Sequence, residues 1–146
     1  MKIFLISLII IFCAINSPSA KPTNSGALIV IIEGFENNRG QALCHLFNTP
    51  QGYPDESEKC FKSGKSTIDK KSARIVFGAV PFGSYALTTH HDANLNGVMD
   101  KTFFGLPDEG YGISNNPEVL LSLPDFADCR FDFRKDGQEV IIKMKY

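Results

Sequence analysis

The sequence predicts an all-β protein, an antiparallel Greek-key β-sandwich of about seven strands with one long ordered loop. Short stretches rich in β-branched residues recur along the chain, and turns that contain glycine or proline separate them. Helical periodicity is nearly absent, which disfavours a helical layer. Short strands at this spacing are typical of sandwiches, and 146 residues suffice for one domain with a sizeable core.

The strands are predicted in order along the chain. The first two, 27–33 and 41–48, flank a turn with Asn37, Asn38 and Gly40, and we expect them to pair as a hairpin. The next stretch, up to residue 65, is expected to be irregular, with one short helical turn within 55–62. Four further strands are expected at 73–77, 84–90, 129–134 and 138–145.

The N-terminus has the features of a secretory signal peptide. Lys2 precedes the apolar run 3–15, and small residues follow as far as Ala20. The run is shorter than the roughly 20 residues that cross a bilayer. We therefore expect a signal peptide over residues 1–20, an exported protein that is periplasmic or secreted, and one sandwich domain over 21–146 with no membrane span after cleavage.

Net charge and cysteine content restrict the partners and the redox state. A formal net charge of −1 lacks the basic excess typical of nucleic-acid binding, so the expected partner is an extracytoplasmic ligand or protein of unknown kind. An exported chain meets oxidising conditions, and three cysteines follow the leader. We predict one disulfide, with Cys44 and Cys60 slightly favoured, and a buried apolar position for Cys129.

The segment 91–123 shows no convincing periodicity, yet it is too apolar to be disordered. Loops of this length within a compact domain are usually functional. Phe103, Phe104 and Tyr111 are predicted to pin the loop to the sandwich. The alternative is that these aromatic side chains are exposed and mark a binding surface.

One part of this loop has the spacing of a calcium site. Oxygen-bearing side chains recur on alternate residues and are followed by a glycine, as a hard cation needs when a single tight loop surrounds it. Phe103 stands where such loops carry their final carboxylate, so Glu109 is expected to supply it. The affinity for calcium should be weak, on the order of 10⁻⁴ to 10⁻³ M. The predicted ligands are Asp92, Asn94, Asn96, the carbonyl of Val98, Asp100 and Glu109.

Two other interpretations use the same residues. Aspartate and asparagine side chains bond to the backbone two residues ahead, so a row of such turns stiffens a loop without metal. The chain would then be a metal-free structural module of the cell envelope. In the second interpretation, His91, Asp92 and Glu109 form the centre of a metal-dependent enzyme, because histidine beside carboxylates binds metal ions and transfers protons.

Three motifs together resemble a bacterial family of exported proteins, domain of unknown function 2141. They are PFGSYA at 81–86, HDANLNG at 91–97 with Asp100, and GLPDEGYGISN at 105–115, and the likeness extends through Phe126 and Phe131. It covers roughly residues 26–146. The resemblance implies a small β-sandwich of the transthyretin or carboxypeptidase-regulatory kind and implies no activity. Cys60 and Cys129 stand where small residues are expected, so the resemblance does not imply a family-wide disulfide.

These observations together predict a non-enzymatic exported β-sandwich protein. Its calcium-type loop, residues 92–100, is expected to organise a binding or structural surface.

Overall fold

The computed structural model describes residues 24–105, 107–118 and 122–146. Within these residues the chain forms two packed β-sheets, which confirms the predicted all-β sandwich. The predicted signal peptide, residues 1–20, lies outside the described residues. In the described ranges, no helix is both long and apolar enough to cross a membrane.

The described residues form eight strands, a 3-10 turn at Ser57–Lys59 and a short helix, α1, at Phe126–Cys129. The strands are β1 (Ser25–Glu33), β2 (Gln41–Phe47), β3 (Lys62–Thr67), β4 (Ser72–Pro81), β5 (Gly83–Asp92), β6 (Tyr111–Ile113), β7 (Phe131–Phe133) and β8 (Gln138–Lys143). The first sheet has the order β4-β1-β8, and the second has the order β3-β2-β5-β6 with β7 also paired to β5. All described pairs are antiparallel except β1 with β8, which is parallel.

Two predictions about the N-terminal half are wrong. The strands β1 and β2 do not form a hairpin, because β1 pairs with β4 and β8 while β2 pairs with β3 and β5. Both strands bury apolar side chains, and the turn residues between them serve equally well for a connection that crosses from one sheet to the other. Strand β3 begins within the stretch up to residue 65 that was expected to be irregular, and its residues KSGKST are polar. It lies at the sheet edge and pairs along only one side.

The main core lies between the two sheets and receives alternate side chains from their facing surfaces. The residues that β1 and β2 contribute are nearly inaccessible to solvent. A strand that points every second residue inward explains this pattern, which the sequence already indicated. The buried strand residues of this core include Leu28, Val30, Ile32, Ala42, Cys44, Leu46, Ile75, Phe77, Tyr85, Leu87, Phe133 and Ile142.

The predicted Cys44–Cys60 disulfide is not formed in this structure, where both residues have free thiols. Cys44 is fully buried in the main core. Its burial, and to a lesser extent the nearby Cys60, raises the pKa of the Cys44 thiol far above its usual range. Cys129 is fully buried, as predicted, but it ends α1 and does not begin a strand.

The chain between β5 and β7 folds back over the outer face of the second sheet. Tyr85 and Leu87 point into the main core, whereas Ala86 between them packs in a second cluster with Ile113 and Cys129. The outer face of β5 is therefore also covered.

Ser114 fixes this covering segment in place. It is fully buried, and its hydroxyl donates to the carbonyl of Cys129 at 2.6 Å and accepts from the N–H of Leu87 at 2.9 Å. Because these groups lie on three different parts of the chain, one side chain ties the covering segment to the sheet.

Candidate functional site

A cavity of about 470 Å³ lies between the outer face of the second sheet and the segment that covers it. Strands β2 and β5 contribute His45, Thr88 and His90. The lining also includes Thr89, several residues from the segments 54–58, 97–101 and 111–113, and Gly105, Pro107 and Leu123. The polar or sulfur-bearing side chains among them include Asp55, Ser57, Glu58, Met99, Lys101 and Tyr111. The volume lies within the range of about 300 to 1,000 Å³ that is usual for small-molecule sites.

Two histidines lie side by side in this cavity. The register of β2 and β5 places His45 opposite Thr88, so His90, two residues further along, lies on the same face as a diagonal neighbour. The two imidazole rings are nearly parallel, at 24°, and their centroids are 6.0 Å apart. The sheet register therefore creates a histidine pair from residues 45 positions apart.

Their surroundings favour the neutral form of both imidazoles. Burial, and then the neighbouring His90, lowers the pKa of His45 to about 4. Burial also lowers the pKa of His90, and the opposing effect of Asp92 and Asp100 does not offset it. His90 is only 7% exposed, and its Nε2 atom is buried without a hydrogen-bond partner. This nitrogen lacks the partner that buried polar atoms normally have.

The loop that was predicted to bind calcium begins where β5 ends and is built around Asp92. This side chain is fully buried. Its Oδ1 accepts from the N–H of Asn96 at 3.0 Å, and its Oδ2 accepts from the N–H of Gly97 at 3.1 Å and from Nε2 of Gln41 at 2.7 Å. Burial raises the pKa of Asp92, but these hydrogen bonds and the nearby His90 outweigh it, so the net pKa is below its usual value.

The other predicted ligands join the same network. Nδ2 atoms of Asn94 and Asn96 donate to the two carboxylate oxygens of Asp100, at 2.7 and 2.9 Å. Their Oδ1 atoms accept from the backbone N–H groups of Asn96 and Val98. Glu109 accepts from the N–H groups of Ala93 and Asp100. The structure thus brings the predicted side chains together, with their oxygens engaged by N–H donors.

This arrangement matches the row of asparagine and aspartate turns that the sequence analysis offered as an alternative to calcium. Within the described ranges, no group of three or more His, Cys, Asp or Glu residues is positioned to hold a metal ion.

Gly40 and Gly97 allow the loop to fold this way. Gly97 has a φ of +80° at the turn over the Asp92 carboxylate, and Gly40 has a φ of +69° where the chain before β2 passes the end of β5. A Cβ on Gly40 would lie 2.0 Å from the carbonyl oxygen of Asp92. Glycine is therefore required at residue 40 both for its dihedral angle and for the close approach of two backbones.

His91 does not join Asp92 and Glu109 in a catalytic centre. Its ring lies on the inner side of β5, edge-on to Phe35. Nε2 donates to the carbonyl of Arg39 at 2.7 Å, so Nδ1 accepts from the Tyr146 hydroxyl at 2.9 Å, and that hydroxyl accepts in turn from the N–H of Glu36. Both ring nitrogens are thus engaged in tying the C-terminus to the sandwich.

The prediction that Phe103 and Phe104 pin the loop is wrong. These side chains are 97% and 85% exposed, and they pack edge to face against each other with centroids 5.5 Å apart. Tyr111 is half-buried against the second cluster, as expected. The carboxylate of Glu109 and the strand pairing of Tyr111 hold the loop, so aromatic side chains at its tip are not needed for that purpose.

The His45–His90 pair was not predicted from the sequence. The available signal was that both histidines fall on predicted strands, but their proximity depends on which strands pair and in which register. Neither property can be read from one sequence, because the same alternation fits several registers.

The protein is thus a small β-sandwich with a cavity on the covered outer face of one sheet and a polar hydrogen-bonded loop beside it. The chain belongs to the family described as an uncharacterized protein conserved in bacteria, domain of unknown function 2141, whose signature matches residues 30–141. This confirms the resemblance noted in the sequence. No curated protein and no solved structure matches the chain.

Proposed function

We propose that this protein is an exported, non-enzymatic binding module that holds a small ligand in the cavity on the outer face of its second sheet. The observation that carries the proposal is the Nε2 atom of His90, which is buried, has no hydrogen-bond partner and belongs to a residue that lines a cavity of about 470 Å³. An unpaired buried polar group costs about 1–3 kcal/mol. A ligand in the cavity that bonds to this nitrogen removes that cost.

The loop that follows β5 serves in this proposal as a rigid wall. Gly97, Val98 and Met99 line the cavity, and they lie directly between Asn96 and Asp100, whose side chains are bonded to each other. The network around Asp92 and Glu109 therefore limits the movement of the wall. A preorganised wall reduces the entropy that binding would otherwise remove.

Export is supported by the N-terminal sequence. A lysine, a short apolar run and a small-residue segment precede the sandwich, which is the arrangement of a secretory signal peptide. The proposed place of action is therefore the periplasm or the cell exterior. Mass spectrometry of the protein from the periplasmic and cytoplasmic fractions of a bacterial host checks this. Periplasmic protein with an N-terminus near residue 21 supports export, and protein found only in the cytoplasm with Met1 intact argues against it.

Binding in the cavity is tested with phenol, which has an apolar ring and one hydroxyl that donates to an unprotonated imidazole. Two-dimensional ¹⁵N–¹H NMR should show saturable shifts that cluster at the cavity, for example at Gly112 and the backbone of His90. Val98→Trp fills the cavity and should abolish them. Val76→Trp is the matched control, because Val76 is also about half exposed but lies outside the cavity lining. Shifts scattered over the surface, or retained in Val98→Trp, would refute the proposal.

Calcium binding by the loop is a second proposal, favoured by the convergence of Asn94, Asn96 and Asp100 within hydrogen-bond distance. The two amide groups would have to rotate so that their oxygens replace their nitrogens beside Asp100. That rotation breaks their bonds to the N–H groups of Asn96 and Val98, so the affinity is expected to be weak.

Melting curves in calcium, magnesium and chelator test the ion. A calcium-specific rise that is lost in Asp100→Ala supports calcium binding. Identical curves in all three conditions support the competing proposal of a metal-free structural loop.

A further inference from the structure

We propose that His45 and His90 bind one transition-metal ion in the cavity, with the thioether of Met99 as the third donor, and that the ion is copper as Cu(I). The inference rests on the proposed function, since it names the ligand of the same cavity. It begins from the unpartnered, buried Nε2 of His90, a strong metal donor whenever the imidazole is neutral.

The spacing of the two rings fits a shared ion. A nitrogen that ligates at about 2.0–2.1 Å puts its ring centre about 3.2 Å from the metal, so two imidazoles on one ion have centres about 5 to 6.4 Å apart, depending on the angle at the metal. The centroids of His45 and His90 are 6.0 Å apart. That value corresponds to a wide angle at the metal, between trigonal and linear. Because the rings are stacked at 24°, both must turn about their Cβ–Cγ bonds so that one nitrogen of each faces the ion, while the paired strands keep their register.

The available donors select the metal. Zinc sites use four ligands, of which at least three are usually protein side chains such as His, Cys, Asp or Glu. Over the described ranges, no three such residues are arranged to hold an ion. Met99 lines the same cavity as the two histidines. Soft thioether donors select Cu(I), and imidazole also binds copper, so two imidazoles and one thioether suit Cu(I) better than zinc, calcium or magnesium.

The protein's fold also holds the two histidines in place. Both lie on paired strands of the second sheet, with His45 facing Thr88 across the ladder. Met99, by contrast, lies on the loop that the hydrogen bonds of Asp100 and Glu109 hold in place. The strands thus fix the backbones of the two histidines, and the loop's hydrogen bonds keep Met99 in the cavity wall.

The test is an anaerobic titration of the untagged protein with Cu(I) against a chromophoric Cu(I) chelator. We expect one Cu(I) per chain. His45→Gln and His90→Gln should each weaken binding at least about 100-fold, given that even residues that only support a metal ligand alter affinity 10- to 100-fold. Met99→Leu should weaken it about 10-fold, whereas Met144→Leu, the matched methionine outside the cavity, should leave it unchanged. X-ray absorption of the loaded protein should show both nitrogen and sulfur neighbours.

A measurement on the unaltered protein guards against variants that fail to fold. Cu(I) should shift the ¹⁵N resonances of the His45 and His90 rings and leave those of His91, which is bonded on both nitrogens, in place. Shifts of His91 alone, tighter zinc than copper binding, or an affinity that survives His90→Gln would overturn the inference. If phenol binds and Cu(I) does not, the inference of a copper site is wrong and the proposed binding function stands. If neither binds, both the copper site and the binding function are rejected.

Discussion

Replacing Asp92 with alanine should destabilise the protein strongly in the absence of any metal. Asp92 is fully buried, and its carboxylate accepts three hydrogen bonds, from the N–H groups of Asn96 and Gly97 and from the side chain of Gln41. In Asp92→Ala these donors lose their acceptor. We therefore expect the loop to loosen and the free energy of unfolding to fall even in chelator.

The magnitude follows from the fate of each donor. A hydrogen bond to a charged group contributes about 1.5–3 kcal/mol. The Asn96 N–H keeps a second acceptor, Oδ1 of Asn94 at 3.0 Å, and Gly97 is exposed, so water can replace its lost partner. The part-buried bond from Gln41 is lost in full. The net cost is then about 2–4 kcal/mol, which corresponds to a drop in Tm of roughly 6–16 °C for a chain of this size.

Thermal melting in chelator, followed by circular dichroism, measures this difference, and Asp100→Ala is the matched control. Asp100 is half-buried and accepts from two exposed amides, so its replacement should cost less than about 1 kcal/mol. Equal melting temperatures for the two variants, or an Asp92→Ala protein that melts like the unaltered chain, would show that the buried carboxylate does not organise the loop.

Three other predictions concern single residues. Ser114→Ala leaves the carbonyl of Cys129 and an N–H of β5 unpaired in a buried site, so urea unfolding should show a loss of about 2–3 kcal/mol; a loss below about 0.5 kcal/mol would contradict the proposed tie. Gly40→Ala combines a φ of +69° with a clash against Asp92 and should cost more than about 2 kcal/mol by the same assay, whereas near-neutrality would mean that the two backbones are not in close contact. Burial, and then the neighbouring His90, lowers the pKa of His45 from 6.5 to about 4 in the folded protein. The unfolded chain therefore binds more protons between these two values, so the free energy of unfolding is unaffected above pH 6.5, falls as the pH decreases from 6.5 to 4, and then levels off. The shift in pKa corresponds to about 3 kcal/mol, which partial solvent exposure reduces to about 1–2 kcal/mol. Midpoints of urea unfolding between pH 7 and 4 should therefore fall less in His45→Gln than in the unaltered protein. Parallel curves for the two proteins would contradict the low pKa.

The predicted strands and loop had clear local causes. The run ALIVIIE in β1, which is rich in β-branched residues, is typical of a buried strand. The alternation of oxygen-bearing residues from Asp92 to Asn96 indicated a tight polar loop. The structure finds both features. The strand β3 escaped prediction because an exposed edge strand needs no apolar alternation, and its only requirement is a neighbour with free backbone groups.

The all-β class, most strand positions and the grouping of Asp92, Asn94, Asn96 and Asp100 in one loop follow from local sequence, because each of these properties depends on residues close together in the chain. The placement of β1 and β2 in different sheets, and the meeting of His45 and His90 in a cavity, follow from the assembled fold. Strand partner and register depend on how all the apolar faces pack at once, so contacts between distant residues follow from the assembled sandwich and not from any local pattern.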